Sequence, residues 1–313
     1  MHMRDIMAHL RDPVVQKNLN MSRAIKQAAR NFLEQRGFME YDTPILQPKG
    51  GEIYNPTFDV QIDGDSACLG DSPQMYKMML LHAGYERYYQ FAHCFRPIAH
   101  ENNRETRLCE FMQLDLEMQI PSLEELLAYA ESLLREIMET LSIHAEISVM
   151  DGLVCRKIYG DEMKPDCRKN KDAVSVAFLK RMPLTNGEKT PIGTWIPCHH
   201  IFALPSEEIT DMSEETLLQM TTESFDVVIN GIEVGGGDLR IMQRSLQEKM
   251  MEIFHVKPKK YGQYLAQLDN AGTLQIGGFA FGLERLVQAL SGCGNIRQTV
   301  PFDQLYEGRN NDA

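Results

Sequence analysis

Residues 88–95 read Tyr-Tyr-Gln-Phe-Ala-His-Cys-Phe, and residues 111–119 read Phe-Met-Gln-Leu-Asp-Leu-Glu-Met-Gln. Both alternate roughly between apolar and polar side chains, as half-buried antiparallel strands do. The polar stretch between them, with Arg104 and Arg107, reads as a hairpin loop. Working outward, further strands are expected at residues 195–203, 225–234 and 278–281. Residues 14–36 place Ile25, Ala29, Phe32 and Leu33 at helical spacing, and Gly37 stops the helix. Pro121, Ser122 and Glu125 form a capping box ahead of an apolar stripe that includes Leu126, Leu133, Leu134 and Ile137. Residues 161–188, rich in charge, Pro and Gly, read mostly as loop. Strands gathered around few helices, without regular βαβ alternation, predict an α+β fold on an antiparallel sheet. One domain is expected over residues 1–313, with residues 1–14 and 303–313 as flexible ends.

The chain has 313 residues, 43% hydrophobic and 24% charged, the balance of a globular protein and not of a disordered one. It contains no run of about 18 apolar residues that would span a membrane. Seven scattered cysteines with no export signal read as reduced thiols, which places the chain in the cytoplasm. With 32 Lys+Arg against 44 Asp+Glu, the net charge of −12 weighs against a long nucleic-acid partner.

Three segments carry candidate chemistry. Arg96 ends one strand and Glu110-Phe111 opens the next, with Arg107 between them. Guanidinium groups fork onto phosphate, so this hairpin suits a nucleotide triphosphate. Residues 277–286, Gly-Gly-Phe-Ala-Phe-Gly-Leu-Glu-Arg-Leu, bring Arg285 out at the start of a helix. They lack the Gly-Lys-Ser/Thr ending of a P-loop and the spacing of a dinucleotide fold. Residues 226–240, Asp-Val-Val-Ile-Asn-Gly-Ile-Glu-Val-Gly-Gly-Gly-Asp-Leu-Arg, set Asp226 and Glu233 around a strand. Three glycines there are expected to let the backbone approach a ligand before Arg240. Two carboxylates beside phosphate-binding arginines suit Mg²⁺.

In this order the segments resemble the class II aminoacyl-tRNA synthetases, and the bacterial-type aspartyl enzymes in particular. Residues 37–44 look like the family's first motif, residues 95–117 its second and residues 278–286 its third. Asp71-Ser-Pro-Gln74-Met-Tyr-Lys77 is similar to QSPQ-x-x-K, and residues 233–240 to EVGGGSxR. Residues 164–168 resemble KPDxR, His199-His200-Ile-Phe resembles HHPF, and residues 295–302 resemble the family's C-terminal segment. The likeness runs from about Ile25 to Phe302.

That resemblance implies an antiparallel sheet of about six strands flanked by helices. It also implies an activity: joining a carboxylate to the α-phosphate of ATP to give an aminoacyl adenylate. Arg96 would hold the α-phosphate and Arg285 the γ-phosphate, with Arg107, Glu110, Phe111 and Glu233 completing the ATP site. Phe111 would stack on adenine, and Asp226 and Glu233 would seat Mg²⁺. Lys77, Arg240 and His199 or His200 would grip the side-chain carboxylate of aspartate. Ser72, Gln74, Gln113 and Asp115 would frame the substrate and its ammonium. A homodimer through the first motif is implied.

The chain also departs from the family pattern. Lys49 stands where a glutamate is expected, and Ile98 replaces another in the second motif, whose loop with His100 and Glu101 is longer. No anticodon-reading barrel is expected before the first motif, and residues 164–199 leave no room for the inserted domain of the bacterial enzymes. The expected activity is therefore formation of aspartyl-adenylate, passed to ammonia, a small amine or a protein amine. A minimal aspartate–tRNA ligase stands second, with the acceptor end of tRNA as its partner. A non-catalytic module binding aspartate or ATP stands third.

Overall fold

The computed structural model describes residues 3–48, 57–97, 105–160, 163–170, 172–269 and 274–302. The opening residues, expected to be flexible, form helix α1, Met3–Arg11. Asp12 then caps α2, Pro13–Glu34, by accepting from the Val14 N–H at 2.7 Å, with Pro13 at the first helical position where its missing N–H costs nothing. After β1, Met39–Glu40, a small sheet forms from β2, Leu46–Pro48, β3, Asp59–Ile62, and β4, Asp65–Leu69. Helix α3, Gln74–His82, leads into the long hairpin of β5, Arg87–Phe95, and β6, Glu110–Gln119. Helix α4, Leu123–Thr140, is capped as expected: Ser122 Oγ accepts from the Glu125 N–H at 3.2 Å.

The second half begins with β7, Ala145–Asp151, α5, Gly152–Tyr159, and β8, Val174–Lys180. A hairpin of β9, Thr185–Lys189, and β10, Trp195–Pro197, follows, then α6, Glu214–Gln219. The last elements are β11, Ser224–Ile229, β12, Ile232–Leu239, α7, Arg244–Ile253, α8, Gly262–Leu268, β13, Ile276–Gly282, and α9, Leu283–Ser291.

Eight strands join in the order β1-β5-β6-β13-β12-β11-β8-β7. The strands from β5 to β8 in that order pair antiparallel, as expected, but the outermost, β1 and β7, pair parallel with their neighbours. The sheet is thus mixed. One face packs on α2, α4 and α9 through residues such as Phe32, Leu133, Ile137 and Val287. Toward α3, α7 and α8 a second cluster gathers Met78, Leu81, Met251, Tyr264 and Leu265. Among the described residues, no helix is long and apolar enough to cross a membrane.

Three strand expectations are corrected. Residues 225–234 are a hairpin, turned at Asn230 (φ 50°) and Gly231 (φ 78°), the Asn-Gly pair that favours this left-handed backbone. Residues 161–188 hold β8, whose Val176 and Phe178 enter one cluster while Ala177 and Leu179 enter another. Buried on both sides, it lacks the alternation that marks a half-exposed strand. Of residues 195–203 only β10 is strand; the chain then turns, which frees His199 and His200 from a ladder. The expected tail at residues 303–313 lies outside the described residues.

Candidate active site

The site follows from the two-residue period of its strands. On β6, Leu114, Leu116 and Met118 enter the core, so Gln113, Asp115 and Glu117 face the other way. Strand β13 sends Phe279 and Phe281 into the core and presents Gly278 and Ala280 on the opposite face. Strand β11 buries Phe225 and Val227 and presents Asp226.

Register then builds two rows across the sheet. Asp226 pairs with Gly236, Gly236 with Ala280, and Ala280 with Asp115. In the next row Asp238 pairs with Gly278, and Gly278 with Glu117. Each row sets two acids on either side of glycine or alanine, and the short residues form the floor of a cavity of about 310 Å³. The glycines expected to admit a ligand serve the sheet first. A Cβ on Gly235 or Gly237 would strike β13, and one on Gly236 would sit 2.5 Å from Asp226 Oδ1. A Cβ on Gly278 would collide with the Glu117 carboxylate and the Leu116 carbonyl oxygen. Gly278→Ala is therefore expected to destabilise the fold by about 1–3 kcal/mol, the usual range for overpacking. Urea unfolding reads this directly, and an unchanged midpoint would show that the floor has slack.

The cavity brings together Ser72, Gln74, Lys77, Arg96, Gln113, Asp115, His199, His200, Asp226, Glu233 and Arg240. Helix α3 carries Gln74 and Lys77 over the floor. Lys77 Nζ lies 2.8 Å from Asp115 Oδ1 and 3.2 Å from Glu117 Oε2. Arg240 grips Glu117 with both edges of its fork, Nε–Oε1 at 2.7 Å and Nη2–Oε2 at 2.8 Å. Its Nη1 bonds Asp238 and lies 3.0 Å from His200 Nε2. His200 Nε2 is itself 3.1 Å from Asp238 Oδ2. Burial opposes charge on Asp238 and Glu117. Arg240 nonetheless holds both carboxyls below their usual ranges, aided by His200 at the first and Lys77 at the second. Asp115 shifts upward, because burial outweighs Lys77.

His199 Nε2 meets Asp226 Oδ1 at 2.8 Å, and Nδ1 lies 3.6 Å from Asp238 Oδ2. Burial disfavours the imidazolium, but these two carboxylates outweigh it and push His199 up to about 10.

Arg285, which like Arg107 and Phe111 is not among the residues lining the cavity, emerges at the start of α9, with Nη1 3.2 Å from the Glu233 carbonyl oxygen and 3.6 Å from its Oε1. Burial lowers the Arg285 pKa, and the like charges of Arg107 and Arg96 lower it further. Arg107 and Arg96 therefore both lie within electrostatic range of Arg285. Arg96 also stacks its guanidinium 5.2 Å from the centre of the Phe111 ring. Phe111 is half-buried and belongs to no core cluster among the described residues. Glu110 is exposed, 3.6 Å from His93, and lies off the cavity wall.

Asp226 and Glu233 approach closely enough to interact. The Glu233 carboxyl, whose side chain is 61% exposed, is raised by partial desolvation within the cavity and by the Asp226 charge. Among the described residues no three His, Cys, Asp or Glu side chains form a metal cluster. A pair of mutually repelling carboxylates fits Mg²⁺ only as Mg²⁺ binds nucleotides, with phosphate oxygens and water supplying the other ligands. Lys49, Ile98, His100, Glu101 and Arg104 lie outside the described residues.

Two residues of the network were not anticipated. Glu117 follows Asp115 at the two-residue period and so shares its face. Asp238 stands where the EVGGGSxR pattern has serine, a signal present in the sequence.

The mixed sheet flanked by helices is the architecture of the class II synthetases. The family model for class II tRNA synthetases (D, K and N) matches residues 1–305, and the chain belongs to that family. It is 24% identical to aspartate–tRNA(Asp/Asn) ligase of Bacillus subtilis over 427 aligned positions, covering 94% of this chain and 72% of that protein. It is 26% identical to the same ligase of Anoxybacillus flavithermus, with the same coverage of each chain. In structure it resembles asparaginyl-tRNA synthetase of Pyrococcus horikoshii complexed with asparaginyl-adenylate. The TM-score is 0.77 at 19% identity, over 96% of this chain and 71% of that one. The first alignment spans more positions than this chain has residues, so the relative carries internal sequence that this chain lacks.

Proposed function

We propose that this chain activates L-aspartate with ATP and passes the aspartyl group to an amine rather than to a whole tRNA. The observation that carries the reading is the set of unpartnered polar atoms lining one cavity: Gln74 Nε2, Arg96 Nε and His200 Nδ1 are buried without hydrogen bonds. Burying such atoms unpaired costs about 1–3 kcal/mol each, so the arrangement is made for a polar ligand.

An α-carboxylate oxygen of aspartate attacks the α-phosphorus of ATP, and pyrophosphate leaves with the electron pair of the broken P–O bond. Negative charge gathers on the phosphoryl oxygens, and Arg96, Arg107 and Arg285 would neutralise it. Asp226 and Glu233 would hold Mg²⁺, which supplies charge neutralisation to the phosphates. Gln74, Ser72 and Gln113 orient the amino acid, while Lys77 and Arg240 mark its side-chain end. An amine then attacks the aspartyl carbonyl, losing a proton as AMP departs.

The acceptor reading rests on the net charge of −12, which opposes a phosphate backbone, and on the internal stretch that the relatives carry and this chain lacks. Among the described residues between Lys164 and His199 stand only β8 and the β9–β10 hairpin. The relatives' names favour a second reading, a minimal aspartate–tRNA ligase. Exposed Met39, Ile45 and Leu46, in and beside the first motif, are consistent with a homodimer through that region, and the cytoplasm is the proposed compartment.

The enzyme, ATP, Mg²⁺ and labelled aspartate can be offered hydroxylamine, ammonium, small amines and total tRNA in parallel. Hydroxylamine is expected to trap aspartyl hydroxamate whichever acceptor is natural, while tRNA stays uncharged. Efficient charging of tRNA would replace the amine reading with the ligase. No aspartate-dependent pyrophosphate exchange would remove the adenylation reading itself.

A further inference from the structure

Asp238 is buried, at 1% exposure, in the side-chain end of the cavity, in the row it shares with Gly278 and Glu117. It bonds Arg240 Nη1, meets His200 Nε2 at 3.1 Å and approaches His199 Nδ1 at 3.6 Å. A substrate carboxylate would seek those same groups. The other cation, Lys77, already lies on Asp115 and Glu117. We infer that Asp238 is a selectivity-setting residue: by occupying Arg240 and His200 itself, it makes the pocket discriminate only weakly between a side-chain carboxylate and a side-chain amide.

The physical basis is the charge balance of the closed network. Lys77 and Arg240 face Asp115, Glu117 and Asp238, so each cation meets a carboxylate before any amino acid arrives. A further carboxylate, entering a buried site, meets repulsion from Asp115 and Asp238 and must share donors already engaged. A carboxylate can only accept hydrogen bonds. An amide also donates, so its NH₂ can bond Asp115 or Asp238 while its oxygen accepts from Lys77 or Arg240. Serine in place of Asp238 would remove the resident anion, leave an Arg240 N–H unengaged and open space, all of which favour aspartate over asparagine.

This inference rests on the adenylation reading, and its test separates the two. Pyrophosphate exchange is measured with aspartate and with asparagine for the native chain, Asp238→Ser and Asp238→Asn, the last keeping shape while removing charge. Affinities for the non-hydrolysable aspartyl- and asparaginyl-sulfamoyl adenosines are measured alongside, since these need no turnover. The native ratio of aspartate to asparagine is expected to stay within about tenfold. Asp238→Ser should raise it by about tenfold or more, and Asp238→Asn should move it the same way, as losing one close charge contact does elsewhere. A native enzyme favouring aspartate more than about 10³-fold, or a ratio unmoved in both variants, overturns the inference and leaves adenylation standing. Absent exchange with preserved analogue binding overturns adenylation, and the affinity ratio still decides selectivity. If neither analogue binds the native chain, both readings fall.

Discussion

Replacing Arg285 with alanine is expected to cut aspartate-dependent exchange of pyrophosphate into ATP by about 10²–10³-fold, the usual effect of losing one electrostatic contact to a transition state. The side chain is held at the start of α9 by the Glu233 carbonyl oxygen and lies within electrostatic range of Arg107 and Arg96. Clustered like charges raise the free energy of the empty site, and a polyphosphate relieves that repulsion. The loss should therefore fall on ATP and on turnover, while aspartate binding without nucleotide stays near normal. Arg285→Lys should recover only part of the rate, because an ammonium lacks the planar fork. Asp226→Ala should show a comparable loss with an altered Mg²⁺ dependence, and it also strips His199 of its 2.8 Å partner. An Arg285→Ala enzyme as fast as the native chain would remove this arginine from the reaction.

How far these positions could be read from the sequence depended on whether their signal was local. The α4 capping box is a local pattern, and Ser122 and Glu125 make the bond it predicts. Alternation on β6 is local too, and it sets Gln113 and Asp115, which the resemblance had named, on the face opposite the core. Strand β8 escaped because burial on both sides erases alternation, and the hairpin at Asn230-Gly231 was hidden inside one long apolar reading despite its turn pair. Eleven of the residues that the resemblance named line one cavity. The resemblance did not reveal how the charges pair. Lys77 and Arg240 were expected as open cations awaiting a carboxylate, yet Asp115, Glu117 and Asp238 already occupy them. That pairing arises from register across β6, β13 and β12, which is a long-range property. The one local clue was an aspartate where the pattern has serine.

Register also changes what a substitution at Arg240 should do. Selectivity alone would lead one to expect that Arg240→Leu merely weakens aspartate binding. In the structure Arg240 is 2% exposed and bridges Asp238 to Glu117 over the gap left by Gly278. Leucine would leave both acids buried, Glu117 with only Lys77 at 3.2 Å and Asp238 with only the histidines. Removing one partner of a buried ion pair typically costs about 3–5 kcal/mol, a large share of the ~5–15 kcal/mol that holds a domain folded. The expected result is a melting temperature lower by roughly 6 °C or more. If unpaired charge is the cause, Glu117→Gln should be destabilising alone yet restore part of the loss when combined with Arg240→Leu. Additive losses in the double variant would instead place the cost in lost packing of the guanidinium stem. An Arg240→Leu protein that melts with the native chain would mean that Lys77 and the histidines suffice for both carboxylates. Arg240 would then be held in reserve for the substrate.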